Sequence, residues 1–135
     1  MDAPPPIVTQ HLEIVDSAGR PRLVLSARSV APYVRLLQVD GRTSAELTLA
    51  GDYPVVKLEN PGPTGPTAAL EVDDKGAHVK FDGPGKASSY LFLNNSGGSG
   101  VVLIDRNGVR RLDVMVGADG EPKVERFGAD GKLLP

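Results

Sequence analysis

The stretch His11-Leu-Glu-Ile-Val-Asp16-Ser-Ala-Gly19-Arg-Pro-Arg22-Leu-Val-Leu-Ser26 has the pattern of a β-hairpin. Apolar and polar residues alternate on both sides of a short Asp-to-Gly segment, as they do in two strands that share one apolar face. Asp16 can accept hydrogen bonds from its own downstream backbone, and Gly19 can adopt a positive φ without a Cβ clash. The stretch therefore predicts two antiparallel strands joined by a tight turn, with the leucines and Ile14 facing the core.

Five more Asp-to-Gly turns follow along the chain. They are Asp40-Gly41, Asp74-Lys-Gly76, Asp105-Arg-Asn-Gly108, Asp119-Gly120 and Asp130-Gly131. Alternating segments between the turns and loops predict strands over residues 11–15, 22–26, 33–37, 45–49, 55–59, 69–72, 78–81, 89–94, 101–104, 111–116 and 123–127. The predicted fold class is therefore all-β, an antiparallel meander of β-hairpin repeats, with no helix longer than one turn.

The turn sequences carry a resemblance to a known type of protein. Val15-Asp16-Ser-Ala-Gly19-Arg20-Pro-Arg22-Leu-Val-Leu25 fits a unit of the form Val-Asp-x-x-Gly-Arg-x-Arg-x-x-Leu, and residues 39–47 and 105–112 fit looser versions of it. In this the chain resembles uncharacterised bacterial proteins built from tandem β-hairpin repeats. The resemblance implies a repeat β architecture and carries over no functional residues.

A single layer of hairpins exposes an apolar face and two strand edges, so it needs to be covered. We expect closure as a β-prism or fibre-like trimer in which each chain supplies one wall. A β-sandwich or barrel formed by one chain is the alternative. Pro4-Pro5-Pro6 predicts an extended N-terminal arm over residues 1–7, followed by one hairpin-repeat domain over residues 8–135.

Composition limits the classes of partner. The 135 residues have a net charge of −2, and no basic run exceeds Arg110-Arg111, which argues against nucleic-acid binding. No apolar run approaches the roughly 20 residues of a membrane span. The chain has no Cys, so disulfides and thiolate sites are excluded. The start lacks the pattern of a signal peptide, which leaves the compartment open between an exported or cell-surface location and the cytoplasm.

Candidate ligand residues are interpreted as strand and turn residues. His11 and His78 lie in different strands and face away from the apolar stripe, without the close spacing of a metal site. Asp105-Arg-Asn107-Gly108 resembles the start of a calcium loop but lacks its later ligands, and Asp73-Asp74 is only a carboxylate pair. We predict no catalytic, cofactor-binding or metal residues and no cofactor.

Three function classes remain. The preferred one is a non-enzymatic structural or assembly subunit, whose partners are copies of itself, as a trimer or polymer, or another protein. The alternative is a ligand- or partner-binding module that uses the Gly/Pro-rich loops 60–67, 82–88 and 95–100, since loops on rigid scaffolds often carry recognition. An enzyme is disfavoured, because Ser99 in Gly97-Gly-Ser-Gly100 does not match a nucleophile elbow.

Overall fold

A computed structural model describes residues 3–135 of the chain, and this part folds into eleven β-strands without a helix. The strands are β1 (His11–Val15), β2 (Pro21–Ser26), β3 (Tyr33–Leu37), β4 (Thr43–Ala50), β5 (Tyr53–Leu58), β6 (Thr67–Val72), β7 (Gly76–Asp82), β8 (Ser88–Asn94), β9 (Ser99–Ile104), β10 (Arg110–Val116) and β11 (Pro122–Arg126). Each begins and ends within two residues of a predicted strand. The all-β prediction is confirmed.

All eleven strands belong to one sheet, in which they lie in chain order from β1 to β11. Every strand pairs antiparallel with the strand before it and the strand after it, which confirms the meander. Over residues 3–135 the sheet stays open, with β1 and β11 at its edges. The described part of a single chain is therefore one layer, and closure into a prism, sandwich or barrel is not seen in it.

The Asp-to-Gly turns close by hydrogen bonds from the backbone to the Asp carboxylate. Asp16 Oδ1 accepts from the N–H groups of Ala18 at 2.9 Å and Arg20 at 3.1 Å. Asp105 Oδ1 accepts in the same way from Asn107 at 2.9 Å and Val109 at 3.1 Å. These short loops let each strand fold straight back onto its neighbour, and this produces the meander.

One turn differs from the prediction. Asp73, and not Asp74, accepts the backbone N–H groups of Lys75 at 2.8 Å and Gly76 at 3.0 Å. The Asp73 N–H also donates to the Gly76 carbonyl at 2.9 Å, so the turn closes one residue earlier than the Asp74-to-Gly76 spacing suggests. Gly76 has a φ of 152°, which favours glycine at this position.

The N-terminal segment precedes the sheet. Residues 3–9 are exposed and form no strand, and Met1 and Asp2 of the predicted arm lie outside the described residues. The Thr9 hydroxyl donates to the His11 carbonyl at 2.9 Å and accepts the His11 N–H at 3.3 Å. The segment is thus joined to the outer edge of β1 through Thr9.

The apolar face that the sequence predicts to be covered is exposed in the single chain, and no cover for it is seen within residues 3–135. Leu25 and Leu36 do lie on one face, but they are 37% and 51% exposed. The buried apolar side chains of the described residues are Val24, Val55 and Val102, all on the opposite face. There long polar side chains on neighbouring strands can lie over the short valines, whereas nothing in residues 3–135 covers the leucine face.

Candidate functional site

One row of apolar side chains crosses the whole sheet. Cross-strand pairing places one Leu or Val from every strand in this row, so that it runs unbroken from β1 to β11. We call it the Leu/Val ladder, and its members are Leu12, Leu25, Val34, Leu47, Val56, Leu70, Val79, Leu91, Val101, Val114 and Val124. No charged or polar residue interrupts it.

Two further rows flank the ladder and complete what we call the apolar face. The first flanking row is Ile14, Leu23, Leu36, Ala45, Leu58, Ala68, Phe81, Ser89, Leu103, Leu112 and Arg126. The second is Leu49, Pro54, Val72, Ala77, Leu93, Ser99, Val116 and Pro122. Arg126 is the one charged residue on this face, and it lies on the edge strand β11.

The apolar face is open to solvent in the single chain. Ten of the eleven ladder side chains keep between 37% and 66% of their surface exposed. Soluble monomers rarely expose apolar patches larger than a few hundred Å², and larger ones mark interaction sites. The Leu/Val ladder and its flanking rows therefore form the candidate functional site.

The total surface area leads to the same conclusion. A compact monomer of 14.2 kDa exposes about 6,800 Å² by the usual scaling with mass. This chain exposes 9506 Å², an excess of roughly 2,700 Å² over that scaling. Part of the excess comes from the extended N-terminal residues. Even half of it exceeds the roughly 800 Å² that each partner buries in an interface of standard size.

Several charged side chains of the opposite, polar face form ion pairs within the chain. The Arg35 guanidinium forms an ion pair with Glu46 on the next strand and lies 3.8 Å from the centre of the Tyr33 ring. The Lys80 ammonium lies 2.9 Å from the Asp82 carboxylate. Because these side chains are already paired, the polar face has the character of a solvated surface.

The most buried charged group also lies on the polar face. Asp113 in β10 is 1% exposed, and its carboxylate accepts a 2.5 Å hydrogen bond from the Arg110 guanidinium. This hydrogen bond raises the pKa of Arg110. A buried carboxylate needs such a partner, since an unpaired charge in this position is costly. The Arg110–Asp113 pair therefore stabilises the fold.

Both histidines lie on the polar face, as predicted, but each is half-buried and has a carboxylate partner. His11 Nε2 is 2.9 Å from Glu13 Oε1, and His78 Nε2 is 2.9 Å from Glu71 Oε2. Among the described residues, no group of three His, Asp or Glu side chains is arranged to hold a metal ion. The structure does not bring the two histidines together, because they lie on β1 and β7.

The turn carboxylates are engaged by their own backbone. Hydrogen bonds from backbone N–H groups lower the pKa of Asp16, Asp40, Asp73 and Asp105, with contributions from nearby cationic side chains. Successive turns at the same end of the sheet are two strands apart, or roughly 10 Å. Ca²⁺ takes oxygen ligands at about 2.3–2.6 Å, so turns at this spacing do not share one ion.

The three long loops do not form one surface. The loops after β5 and β7 lie at one end of the strands, whereas the loop after β8 lies at the other end. A six-residue strand is roughly 20 Å long, and that length separates the two groups. Ser99 lies in β9, where it belongs to the second flanking row of the apolar face.

A shallow depression of about 510 Å³ lies on the polar face over β6 to β9. Tyr90 and Phe92 form its floor with ring centroids 6.1 Å apart, and the paired His78 and Lys80 line it. The His78 and Lys80 side chains already have carboxylate partners within the chain. The depression therefore exposes two aromatic side chains on the polar face, and the His78 and Lys80 side chains beside them are already paired.

The sequence interpretation missed a pattern that the apolar face makes visible. In six consecutive strands, from β4 to β9, the three apolar-face positions read small residue, then Leu or Val, then large residue. The six segments are Ala45-Glu-Leu-Thr-Leu49, Pro54-Val-Val-Lys-Leu58, Ala68-Ala-Leu-Glu-Val72, Ala77-His-Val-Lys-Phe81, Ser89-Tyr-Leu-Phe-Leu93 and Ser99-Gly-Val-Val-Leu103. A search for five-residue periodicity within strands could have found it.

No segment of residues 3–135 forms an apolar helix of membrane-spanning length. Comparison of the chain with protein-family models, with curated proteins and with solved structures found no match.

Proposed function

We propose that this chain is a non-enzymatic structural subunit that assembles with other copies of itself by burying the apolar face. The observation that carries the proposal is the unbroken Leu/Val ladder on one face of an open single-layer sheet. Apolar area removed from water contributes roughly 25 cal/mol per Å². A face of this size therefore supplies the main driving force for assembly.

We propose three copies, each forming one wall of a β-prism with the ladders directed at a common axis. The ladder suits an axis because Leu or Val occupies it on every strand, so the interior has a similar width from β1 to β11. The flanking rows would pack against neighbouring walls. Arg126 on the edge strand lies at the end of such a prism, where its charge can reach solvent.

Two observations support a structural role over an enzymatic one. The polar-face side chains Arg35 and Arg110 form ion pairs with carboxylates, and His78 is hydrogen-bonded to Glu71. The turn carboxylates of Asp16 and Asp105 accept their own backbone N–H groups. Both sets of groups are committed to the fold. The alternative of a binding module built on the long loops has less support, since the loops lie at two ends of the sheet.

Sedimentation velocity over a wide range of protein concentrations tests the proposal. We expect a single species with the mass of three chains down to low micromolar concentration. A species with the mass of one chain across the whole range would overturn the proposal, because the apolar face would then remain exposed in the native protein.

A further inference from the structure

We infer that the copies assemble in register, with the symmetry axis parallel to the Leu/Val ladder, so that each strand lies against the same strand of the next copy. This inference rests on the proposed homo-oligomer and adds the direction and register of its chains. The partner at the apolar face is therefore a second copy of this chain.

The inference comes from the sizes of the side chains in the two flanking rows. Each strand from β4 to β9 begins its apolar-face positions with a small residue and ends them with a large one. Because successive strands run in opposite directions, the first flanking row alternates in size across the sheet, as Ala45, Leu58, Ala68, Phe81, Ser89 and Leu103. The second row alternates in the opposite phase, as Leu49, Pro54, Val72, Ala77, Leu93 and Ser99.

An axis parallel to the ladder turns this alternation into complementary packing. Rotation about such an axis keeps every strand at its own level and brings the first flanking row of one copy against the second row of the next. Ala45 then meets Leu49, and at the level of β8 Ser89 meets Leu93. Small against large at each level from β4 to β9 fills space without voids or overlap, as close-packed interiors require.

The opposite arrangement, with two copies running in opposite directions and centred on β6, packs poorly. It brings the first flanking rows together, so that β4 meets β8 and β5 meets β7. Ala45 would then face Ser89 and leave a void, while Leu58 would face Phe81 and overlap with it. Voids and overpacking both destabilise an apolar contact.

A shift of the opposed copies by one strand restores the size match but leaves an edge strand outside the interface, β11 for a shift in one direction and β1 for a shift in the other. With β1 outside, Leu12 and Ile14, which are 39% and 49% exposed in the single chain, would stay in solvent. The in-register arrangement covers the ladder on all eleven strands. A three-fold axis also relates chains only in the same direction, so the proposed trimer and the in-register arrangement agree.

Single cysteines test the direction of the chains, because the natural sequence has no Cys. Leu25→Cys on β2 and Val114→Cys on β10 lie eight strands apart on the ladder, or roughly 38 Å. Each variant is treated with a short bismaleimide alone, and then as a co-refolded mixture in which one variant carries a mass tag. Lys57→Cys on the polar face is the control, and sedimentation velocity is run on every sample.

We expect each ladder variant to crosslink to itself, no Leu25→Cys to Val114→Cys product in the mixture, and no crosslinking of the control. An oligomer that crosslinks only between the two different variants would overturn the in-register inference and leave the homo-oligomer intact. A sample with the mass of one chain and no crosslinks would overturn the proposed function itself.

A size swap at β4 gives a second readout that needs no crosslinker. Ala45→Leu places a large side chain against Leu49 of the next copy, and we expect the association constant to fall at least roughly 10-fold. The double variant Ala45→Leu/Leu49→Ala restores small against large, and we expect association within roughly threefold of the natural chain. If Ala45→Leu alone strengthens association, as it would where Ala45 faces Ser89, the in-register inference is wrong.

Discussion

Two rows of side chains cross the same eleven strands one residue apart. On the apolar face the Leu/Val ladder carries only Leu and Val, and most of its members are more than a third exposed. On the polar face the corresponding row alternates Arg35, Glu46 and Lys57 on successive strands and contains the buried Val24 and Val102. The polar row includes the Arg35–Glu46 ion pair within one chain, whereas the ladder side chains have only one another as apolar neighbours within their row. In a single copy the ladder side chains therefore pack only against their cross-strand neighbours and keep much of their apolar surface in solvent.

The largest effect that we expect follows from this difference. A charge at an exposed ladder position should be more damaging than a charge at a half-buried position of the polar face. Leu70 on the ladder is 49% exposed, whereas its neighbour Ala69 on the polar face is half-buried. We expect Leu70→Asp to lower the association constant at least roughly 100-fold, since assembly would bury an unpaired carboxylate. We expect Ala69→Asp to change it by less than about threefold, because Ala69 lies between Lys57 and Lys80 on the adjacent strands. Sedimentation equilibrium measures both, and a larger loss for Ala69→Asp would reject the assignment of the faces.

A substitution on the polar face should lower the stability of the fold without changing the association constant. Arg110→Met removes the partner of the buried Asp113, and we expect the free energy of unfolding to fall by about 2–4 kcal/mol. The neighbouring Arg111→Met serves as the matched control. Its partners, the Asp105 carboxylate and the Phe127 carbonyl, are both accessible to solvent, so we expect a loss below about 1 kcal/mol. Urea unfolding measures both variants, and equal losses would show that burial of Asp113 does not matter to stability.

We expect a smaller loss of stability at acid pH, where the carboxylates that close the turns become protonated. Backbone N–H donors hold the pKa of the Asp16, Asp40, Asp73 and Asp105 carboxyls below the ordinary value. The ionised carboxylates therefore stabilise the fold above the unfolded pKa of about 3.9, and this contribution is lost as the pH falls through the lower folded pKa. We expect the urea midpoint to decrease between about pH 5 and pH 3.

Replacing these four Asp residues by Asn should flatten that dependence, because Asn accepts the same N–H groups without titrating in this range. Asp74→Asn, next to the Asp73 turn, is the control and should keep the slope of the natural chain. A four-Asn variant with an unchanged slope would assign the acid sensitivity to other carboxylates.

Much of the fold could be predicted from local pattern. The spacing from Asp16 to Gly19 and the alternation in 11–15 and 22–26 locate β1, its turn and β2, because both depend on neighbouring residues only. The turn at Asp73 was predicted one residue late, since two adjacent Asp residues offer two acceptors and only backbone geometry selects one. The strands themselves lie within two residues of prediction.

The cover of the apolar face could not be predicted in the same way. Alternation shows that Leu23 and Leu25 share a face, but burial depends on what lies beyond that face. In one chain the short Val24 is buried between Glu13 and Arg35, while Leu25 is exposed. The size pattern from Ala45 to Leu103 can be interpreted only once the antiparallel register is known. The register places small and large residues alternately in each flanking row, and the two rows alternate in opposite phase.

Solvent access to the two faces in the native assembly tests the central claim most directly. Val56→Cys places a thiol on the ladder, and Lys57→Cys places one on the polar face of the same strand, in a chain without other thiols; both positions are exposed in the single chain. We expect the thiol at position 57 to react with a maleimide near the rate of a free thiol, and the thiol at position 56 to react at least roughly 100-fold more slowly. Equal rates at the two positions, in an oligomer or in a single chain, would contradict the claim that other copies cover the apolar face.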